Sequence, residues 1–285
     1  MDNTSGKRTL LCDCISSVPV ASDTVRIEFL WPGPMPEAGQ FFLIKPEHSA
    51  VFLGRPISAA GWKKTDAAAD SGILRFFMVK RGPGSRELTN MKPGEKAELI
   101  GPLGNSWAKA ANLSDMLSYK PSYDNGEAGK KPLALVAGGV GIAPLLAFVR
   151  EIEGRYCSES DKRPGVLSCD FYAGFRSFSF GLDDINPRSL VVASEDGSQG
   201  KRGRILDFFK PEEYSVVFAC GPEPMLKLAG KMCMAAGVPC FVSMERHMAC
   251  GVGACLGCRV KTVSGNRSCC SDGPVFNVRE LCFDE

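Results

Sequence analysis

Histidine is scarce: only His48 and His247 occur in 285 residues, and neither sits in an acid–base constellation. General acid–base catalysis by histidine is therefore not expected. Charge of one sign is also missing. Thirty-four Lys and Arg stand against 32 Asp and Glu, a net charge of +2, which argues against a nucleic-acid partner or an acidic tail. No apolar run reaches the length that spans a bilayer, so no membrane is expected. The opening MDNTSGKRTLLCDC carries no leader pattern, which predicts a reducing, cytoplasmic setting without disulfides. Internal repeats and low-complexity segments are absent as well.

Cysteine, by contrast, is abundant, with thirteen in all. Cys250, Cys255 and Cys258 stand at C-x4-C-x2-C spacing, and a doublet, Cys269-Cys270, follows after a short polar loop. Gly251, Gly253 and Gly257 lie among the first three, so the backbone can curl and aim several thiolates and N–H groups at one object. This is the spacing of plant-type [2Fe–2S] ligation, although the fourth cysteine arrives much sooner here. Structural zinc would call for a second spaced pair, which is not present. An iron–sulfur cluster is the favoured reading. Most of the other cysteines (Cys12, Cys14, Cys157, Cys169, Cys220, Cys233, Cys240, Cys282) are expected in the core, where free cysteine acts as a small hydrophobe.

Residues 1–108 read as short strands. Thr24–Leu30, Gln40–Lys45 and Ile73–Lys80 alternate at period two, separated by Pro/Gly turns at 31–36, 81–84 and 92–95. A small antiparallel barrel follows, closed by a tight turn at Gly101–Asn105. Arg55-Pro56-Ile57-Ser58 offers a guanidinium beside a stiffened backbone and then a hydroxyl, suited to a phosphate and a heteroaromatic ring. Gly82-Pro83-Gly84-Ser85 precedes an expected helix, Ser85–Asn90, either as an anion pocket or as a plain turn with Ser85 as N-cap. Residues 109–131 read as a polar surface linker or insertion.

Residues 132–242 read as a parallel α/β unit. Pro132–Ala137 is a continuous apolar strand that runs into Gly138-Gly139-Val140-Gly141 and a helix, Leu145–Glu153. Strand, glycine turn and helix present backbone N–H groups to a dinucleotide, although this is not the G-x-G-x-x-G fingerprint. Further strands at Ser168–Gly174, Leu190–Ser194 and Ser215–Cys220 end in loops bearing Arg176, Glu195-Asp196 and Gly221-Pro222, and a helix spans Met225–Ala236. Glu195 and Asp196 near an adenosine ribose would favour NAD over NADP. Cys220 at a strand end is either beside the nicotinamide or a core thiol.

Arg55–Ser58, Gly84-Ser85, Gly101–Asn105, Val136–Pro144, Ala219–Met225, Met248–Cys258 and Cys270–Phe276 occur in that order over nearly the whole chain. Together they resemble the ferredoxin–NADP reductase superfamily, and more closely the iron–sulfur electron-transfer subunits of class 1B dihydroorotate dehydrogenases. The resemblance implies an N-terminal antiparallel flavin-binding β-barrel, a central parallel α/β nucleotide-binding domain and a small C-terminal [2Fe–2S] module over 243–285. It assigns FAD to Arg55, Pro56, Ile57 and Ser58, then Phe77, Met78 and Val79, then Gly84 and Ser85, with serine where threonine is usual. NAD falls to Gly138, Gly139, Gly141, Glu195, Cys220 and Gly221. The family's fourth cluster cysteine lies two residues before Asp-Gly-Pro, which selects Cys270 beside Cys250, Cys255 and Cys258.

A chain with all three sites converts hydride pairs into single electrons. The resemblance implies a partner subunit with FMN that oxidises dihydroorotate, in a heterotetramer of two chains of each kind, with electrons passing through [2Fe–2S] and FAD to NAD+ in pyrimidine biosynthesis. His247 is expected to pack or hydrogen-bond near the cluster rather than to ligate it. Rival expectations are the related subunit of a sulfhydrogenase, a sulfite reductase or a ferredoxin:NADP oxidoreductase, and a flavin-free, zinc-stabilised binding module.

Overall fold

The computed structural model describes residues 7–65, 71–113, 131–156 and 168–283. Six antiparallel strands come first: β1 (Arg8–Ala21), β2 (Thr24–Trp31), β3 (Phe41–Pro46), β4 (Arg55–Lys64), β5 (Gly72–Val79) and, after helix α1 (Pro83–Thr89), β6 (Lys96–Leu103). They close into a barrel in the order β1-β2-β5-β4-β3-β6. The period-two pattern explains which face turns inward. Ile27, Phe29 and Trp31 of β2, Phe42 and Ile44 of β3, and Leu74, Phe76 and Met78 of β5 fill the interior with Cys12 and Cys14. The indole of Trp31 donates to the carbonyl of Pro34 at 2.8 Å, which folds the Pro/Gly turn after β2 back over the barrel end.

Two expectations about this half change. The short helix begins at Pro83 with Gly82 as its cap, so Ser85 sits at the third helical position rather than at the cap. Its hydroxyl accepts from the N–H groups of Arg81 and Gly82, both at 2.9 Å, which ties the loop to the helix start. The turn expected at Gly101–Asn105 is mostly strand, because Gly101–Leu103 completes β6 and only Gly104, at φ +77°, turns.

Helix α2 (Trp107–Ala110) joins the two halves. Its Trp107 ring meets Phe148 and Phe218 at centroid distances of 6.1 and 5.7 Å, and its indole donates to the Pro144 carbonyl. Each such aromatic pair adds about 0.5–1.5 kcal/mol beyond its buried area. Ala111 and Leu113 are buried too, so the stretch expected to be a surface linker starts inside the core. Residues 114–130 of that stretch, and Cys157, lie outside the described residues.

The second half is built on β7 (Leu133–Gly138), α3 (Ile142–Tyr156), β8 (Cys169–Phe175), β9 (Ser189–Ser194), β10 (Lys201–Arg202), β11 (Val216–Cys220), α4 (Glu223–Ala235) and β12 (Cys240–Ser243). These strands lie parallel in the order β10-β9-β8-β7-β11-β12. Every residue of β7 and β11 is buried, as covered parallel strands require. The last segment adds a hairpin, β13 (Arg259–Thr262) with β14 (Gly265–Ser268), and then β15 (Val275–Asn277). Strand β15 pairs antiparallel with β12, so the cysteine-rich segment is stitched into the edge of the sheet rather than hung from it. Cys12, Cys14, Cys169, Cys220, Cys233 and Cys240 are buried, as expected, while Cys282 is half-buried.

Candidate functional site

The sequence-predicted residues fall into three groups. The first lies at the start of β4. Pro56 faces Leu43 and Ser58 faces Phe41 in the β3–β4 ladder, and all four turn away from the barrel interior that Phe42 and Ile44 fill. Arg55 donates from one terminal nitrogen to the Leu53 carbonyl at 2.8 Å, but its Nε is buried without a partner. A buried guanidinium nitrogen left unsatisfied is costly, so this atom fits a ligand phosphate oxygen. Gly84 permits the approach: a β-carbon there would lie 3.4 Å from Arg55 Nε and 3.1 Å from Val51. On β5, Phe77 faces outward, 5.2 Å from the Phe180 ring, whereas Met78 points into the barrel core. Met78 therefore has only its backbone to offer a ligand.

The second group lies at the carboxyl ends of β7 and β11. A β-carbon on Gly141 would strike the Cys220 carbonyl, so only glycine lets these two loops touch. Gly139 takes φ +55° with open space around it, leaving backbone at the surface of the groove. Cys220 is 2% exposed, and burial first, then the Glu245 carboxylate, push its thiol well above the usual range. It is a neutral thiol at the strand end. Glu195 follows β9 and lines a groove of about 420 Å³ with Gly203, Arg204 and Asp207. Asp196, the other acid expected to face the ribose, accepts from the Ser198 hydroxyl at 2.7 Å and its N–H at 2.9 Å. Those bonds hold its carboxyl below the ordinary value.

The cysteines form the third group. The Cys255 N–H points at Cys250 Sγ (3.4 Å), the Gly253 N–H at Cys270 Sγ (3.1 Å), and the Cys270 N–H at Cys258 Sγ (3.4 Å). Backbone N–H groups, of Val252 first and then Cys255, with help from the Cys255 thiol, lower the Cys250 thiol to about 6. Burial first, then a hydrogen bond to Cys258, push Cys270 up to about 12. The four thiols thus stand as two pairs, Cys250 with Cys255 and Cys258 with Cys270. Among the described residues no three His, Cys, Asp or Glu side chains converge as a single-ion site requires. Two thiol pairs under backbone N–H donors fit a two-iron group with two sulfur ligands per iron better than one tetrahedral zinc. Cys269 is turned the other way: fully buried, it donates from Sγ to the Met244 carbonyl at 3.1 Å. His247 is exposed.

Two contacts that join the cysteine loop to the barrel were not legible in the sequence. Asn105 reaches from the barrel to the cysteine loop, donating from Nδ2 to the carbonyls of Val275 (2.9 Å) and Asp272 (3.3 Å) and accepting the Val275 N–H at Oδ1 (2.9 Å). Gly251, at φ +69°, lets the cysteine loop lie on the barrel, because a β-carbon there would sit 2.8 Å from Leu43 and 2.9 Å from Leu103. The advance signals for Asn105 were its place in a Pro/Gly-rich turn and in the Gly101–Asn105 motif of the resemblance, neither of which points to its bonds with residues 272–275.

The iron-sulfur cluster binding domain of dihydroorotate dehydrogenase B matches residues 245–282. The electron transfer subunit of dihydroorotate dehydrogenase B (NAD(+)) from Clostridium perfringens is 38% identical over 248 residues, covering 86% of this chain and 87% of that protein. The subunit of the same name from Caldanaerobacter subterraneus is 32% identical over 277 residues, covering 94% and 96%. Among solved structures, that of an NADH-dependent reduced ferredoxin-NADP oxidoreductase superposes with a TM-score of 0.73 at 24% identity, covering 97% of this chain and 91% of that one. A ferredoxin reductase in carbazole 1,9a-dioxygenase does so at 0.58 and 21%, covering 82% and 67%. These two likenesses speak for the barrel-plus-sheet fold. The identity and coverage of the first two relatives settle the rest: the chain belongs to the family of electron transfer subunits of dihydroorotate dehydrogenase B (NAD(+)).

Proposed function

We propose that this chain is the electron-transfer half of a cytoplasmic, NAD-dependent dihydroorotate dehydrogenase of pyrimidine (UMP) biosynthesis, joined to an FMN-containing catalytic subunit in a heterotetramer of two chains of each kind. One observation carries the reading. Pro56 of the flavin group faces Leu43, and the cysteine loop packs on that same Leu43 through Gly251. Cross-strand neighbours lie about 5 Å apart, so the flavin groove and the thiols share one barrel face.

Each residue then has a task. Arg55 Nε binds the flavin's diphosphate, and Gly84 and Ser85 shape the loop beside it. Pro56 and Ser58, with Phe77 and Val79 and the backbones of Ile57 and Met78, whose side chains turn into the barrel, bound the flavin groove. Gly138, Gly139, Gly141 and Gly221 present bare backbone to NAD, Cys220 stands neutral beside the nicotinamide, and Glu195 takes the ribose hydroxyls and disfavours a 2′-phosphate. Cys250, Cys255, Cys258 and Cys270 hold [2Fe–2S]. When bound, these groups supply one-electron exchange at the cluster, hydride exchange at the nicotinamide, and both at the flavin. Burial of Cys258 and Cys270 keeps water from that thiol pair. Val252 and Leu256, 48% and 50% exposed on the cysteine loop, offer the partner subunit an apolar contact. No helix among the described residues is long and apolar enough to cross a membrane.

The test is anaerobic reconstitution. The purified chain should carry FAD and iron–sulfur absorption, and with the FMN subunit added it should reduce NAD+ at the expense of dihydroorotate. Both subunits fully loaded yet forming no NADH would overturn the proposal. So would a purified chain without flavin or iron.

A further inference from the structure

We propose that the ring of Phe52 stacks on the adenine of bound FAD and so holds the nucleotide half of that cofactor. The inference rests on the flavin site proposed above and extends it beyond the diphosphate. FAD runs in the order flavin ring, ribityl, diphosphate, adenosine. With the ring at Pro56 and Ser58 and the diphosphate at Arg55, the adenosine continues past Arg55, away from Pro56. What precedes Arg55 is the loop between β3 and β4, and Phe52 stands on it three residues earlier. Three residues of chain reach about 10 Å at most, so the ring stays within reach of a nucleoside on that diphosphate.

The loop is fixed on both sides of Phe52. On one side Glu87 of α1 accepts from the Ser49 hydroxyl and, at 3.2 Å, from the Ala50 N–H, while the Val51 N–H donates to Ser49 Oγ at 3.1 Å. On the other, the Arg55 guanidinium donates to the Leu53 carbonyl at 2.8 Å. Val51 and Arg55 also wall the spot that a β-carbon of Gly84 would fill, at 3.1 and 3.4 Å, which sets the loop against the start of α1. Between these anchors Phe52 is 90% exposed, the most exposed large apolar side chain among the described residues. A bare ring on a preset backbone is suited to receive a ligand. An aromatic side chain has only two torsions to lose on binding, and its face matches that of one base. Phe52 and the partly exposed Leu53 cover far less than the roughly 800 Å² that each partner buries in a stable protein interface. A base is the occupant of matching size.

The experiment measures flavin affinity by ultrafiltration. The full chain, its cluster intact, is reloaded anaerobically with FAD or with FMN, which lacks the adenosine. Phe52→Ala should weaken FAD binding about fivefold or more, the low end of what alanine costs a base–aromatic stack, and leave FMN binding unchanged. Phe52→Tyr should restore FAD binding, whereas Phe52→Leu, apolar but without a ring, should not. The FAD affinity of Phe52→Ala matching wild type would overturn the inference. So would equal losses for FAD and FMN, which would mean that Phe52 shapes the loop around Arg55 instead. A wild-type chain that binds neither flavin would overturn the function proposed above as well, so the two failures are told apart before any variant is made.

Discussion

Removing the Asn105 side chain should loosen the loop that carries Cys270 while leaving every cysteine in place. Asn105→Ala deletes two hydrogen bonds of 2.9 Å and one of 3.3 Å that join β6's end to residues 272–275. Val275 is 2% exposed, so water cannot replace the partner that its N–H and carbonyl lose. A buried group left unsatisfied costs about 1–3 kcal/mol. Two such groups on Val275, partly relaxed, give about 3 kcal/mol, a large share of a total that is typically about 5–15 kcal/mol. At about 2–4 °C per kcal/mol for a chain of this size, the apparent Tm should fall by roughly 6–12 °C. The backbone bond from Asn105 N to the Gly273 carbonyl remains, so the protein should still fold. Circular dichroism melts give the shift. Hydrogen exchange should show faster amide opening across 269–276, and iron should pass sooner to a chelator. A variant with an unchanged Tm and wild-type exchange in that segment would refute the idea that Asn105 secures the loop.

Other substitutions test other parts. Cys270→Ser should abolish the visible iron–sulfur spectrum while Cys269→Ser retains it, because the Cys269 thiol is spent on the Met244 carbonyl; the reverse pattern would exchange their roles. Gly84→Ala presses a methyl toward Arg55 and Val51 and should weaken FAD retention about tenfold, a loss of about 1.4 kcal/mol, read by flavin release on dilution. Glu195→Gln should raise NADPH use relative to NADH, and an unchanged ratio would remove Glu195 from the ribose site. Asp184 bridges Arg75 of the barrel and Arg150 of α3, and the Arg75 hydrogen bond holds its carboxyl below 3.8. Its folded value is the lower one, so the bridge's contribution is complete above pH 3.8 and is lost as pH falls through the folded value. Asp184→Asn should therefore flatten the acid limb of a stability–pH profile, and an identical limb would refute the linkage.

Much of this was legible because burial follows period. Strand β2 alternates over Ile27–Trp31 and β5 over Gly72–Phe76, and the apolar run at β7 has the length and composition of a strand covered on both faces. Strand β1 was hidden because it is apolar on both sides: Cys12 and Cys14 point inward while Leu11, Ile15 and Val18 remain exposed. Strand β4 was not read as one element because Pro56 and Gly61 are residues that strands rarely carry in their interior, and only the neighbouring strands supply the pairing. Helix α1 starts two residues before its expected position because Pro83 fits the first turn of a helix, where no N–H is needed. The cysteine spacing announced a cluster, the Asp-Gly-Pro that follows selected Cys270, and the side chains agree: Cys269 turns to the Met244 carbonyl while Cys270 stands beside Cys258. Asn105 lies some 170 residues from its partners, a contact that no local pattern can signal.

The sheet explains why these sites share one edge. In a parallel sheet every strand delivers its carboxyl end to the same side. Here Ala137 pairs with Cys220, and Cys220 with Ser243, so β7, β11 and β12 end level with one another. The glycine loop, the Cys220–Gly221 loop and the lead into Met244–Cys258 therefore leave the sheet side by side. Only a strand running the opposite way can bring the chain back from that edge without a crossover, and β15 does so, placing Val275 opposite Ser243. Five residues before Val275 stands Cys270, which the returning strand sets beside Cys258. The antiparallel strand is thus what lets a fourth cysteine so close in sequence join the other three: the β13–β14 hairpin takes the chain out, and pairing with β12 fixes how far it comes back.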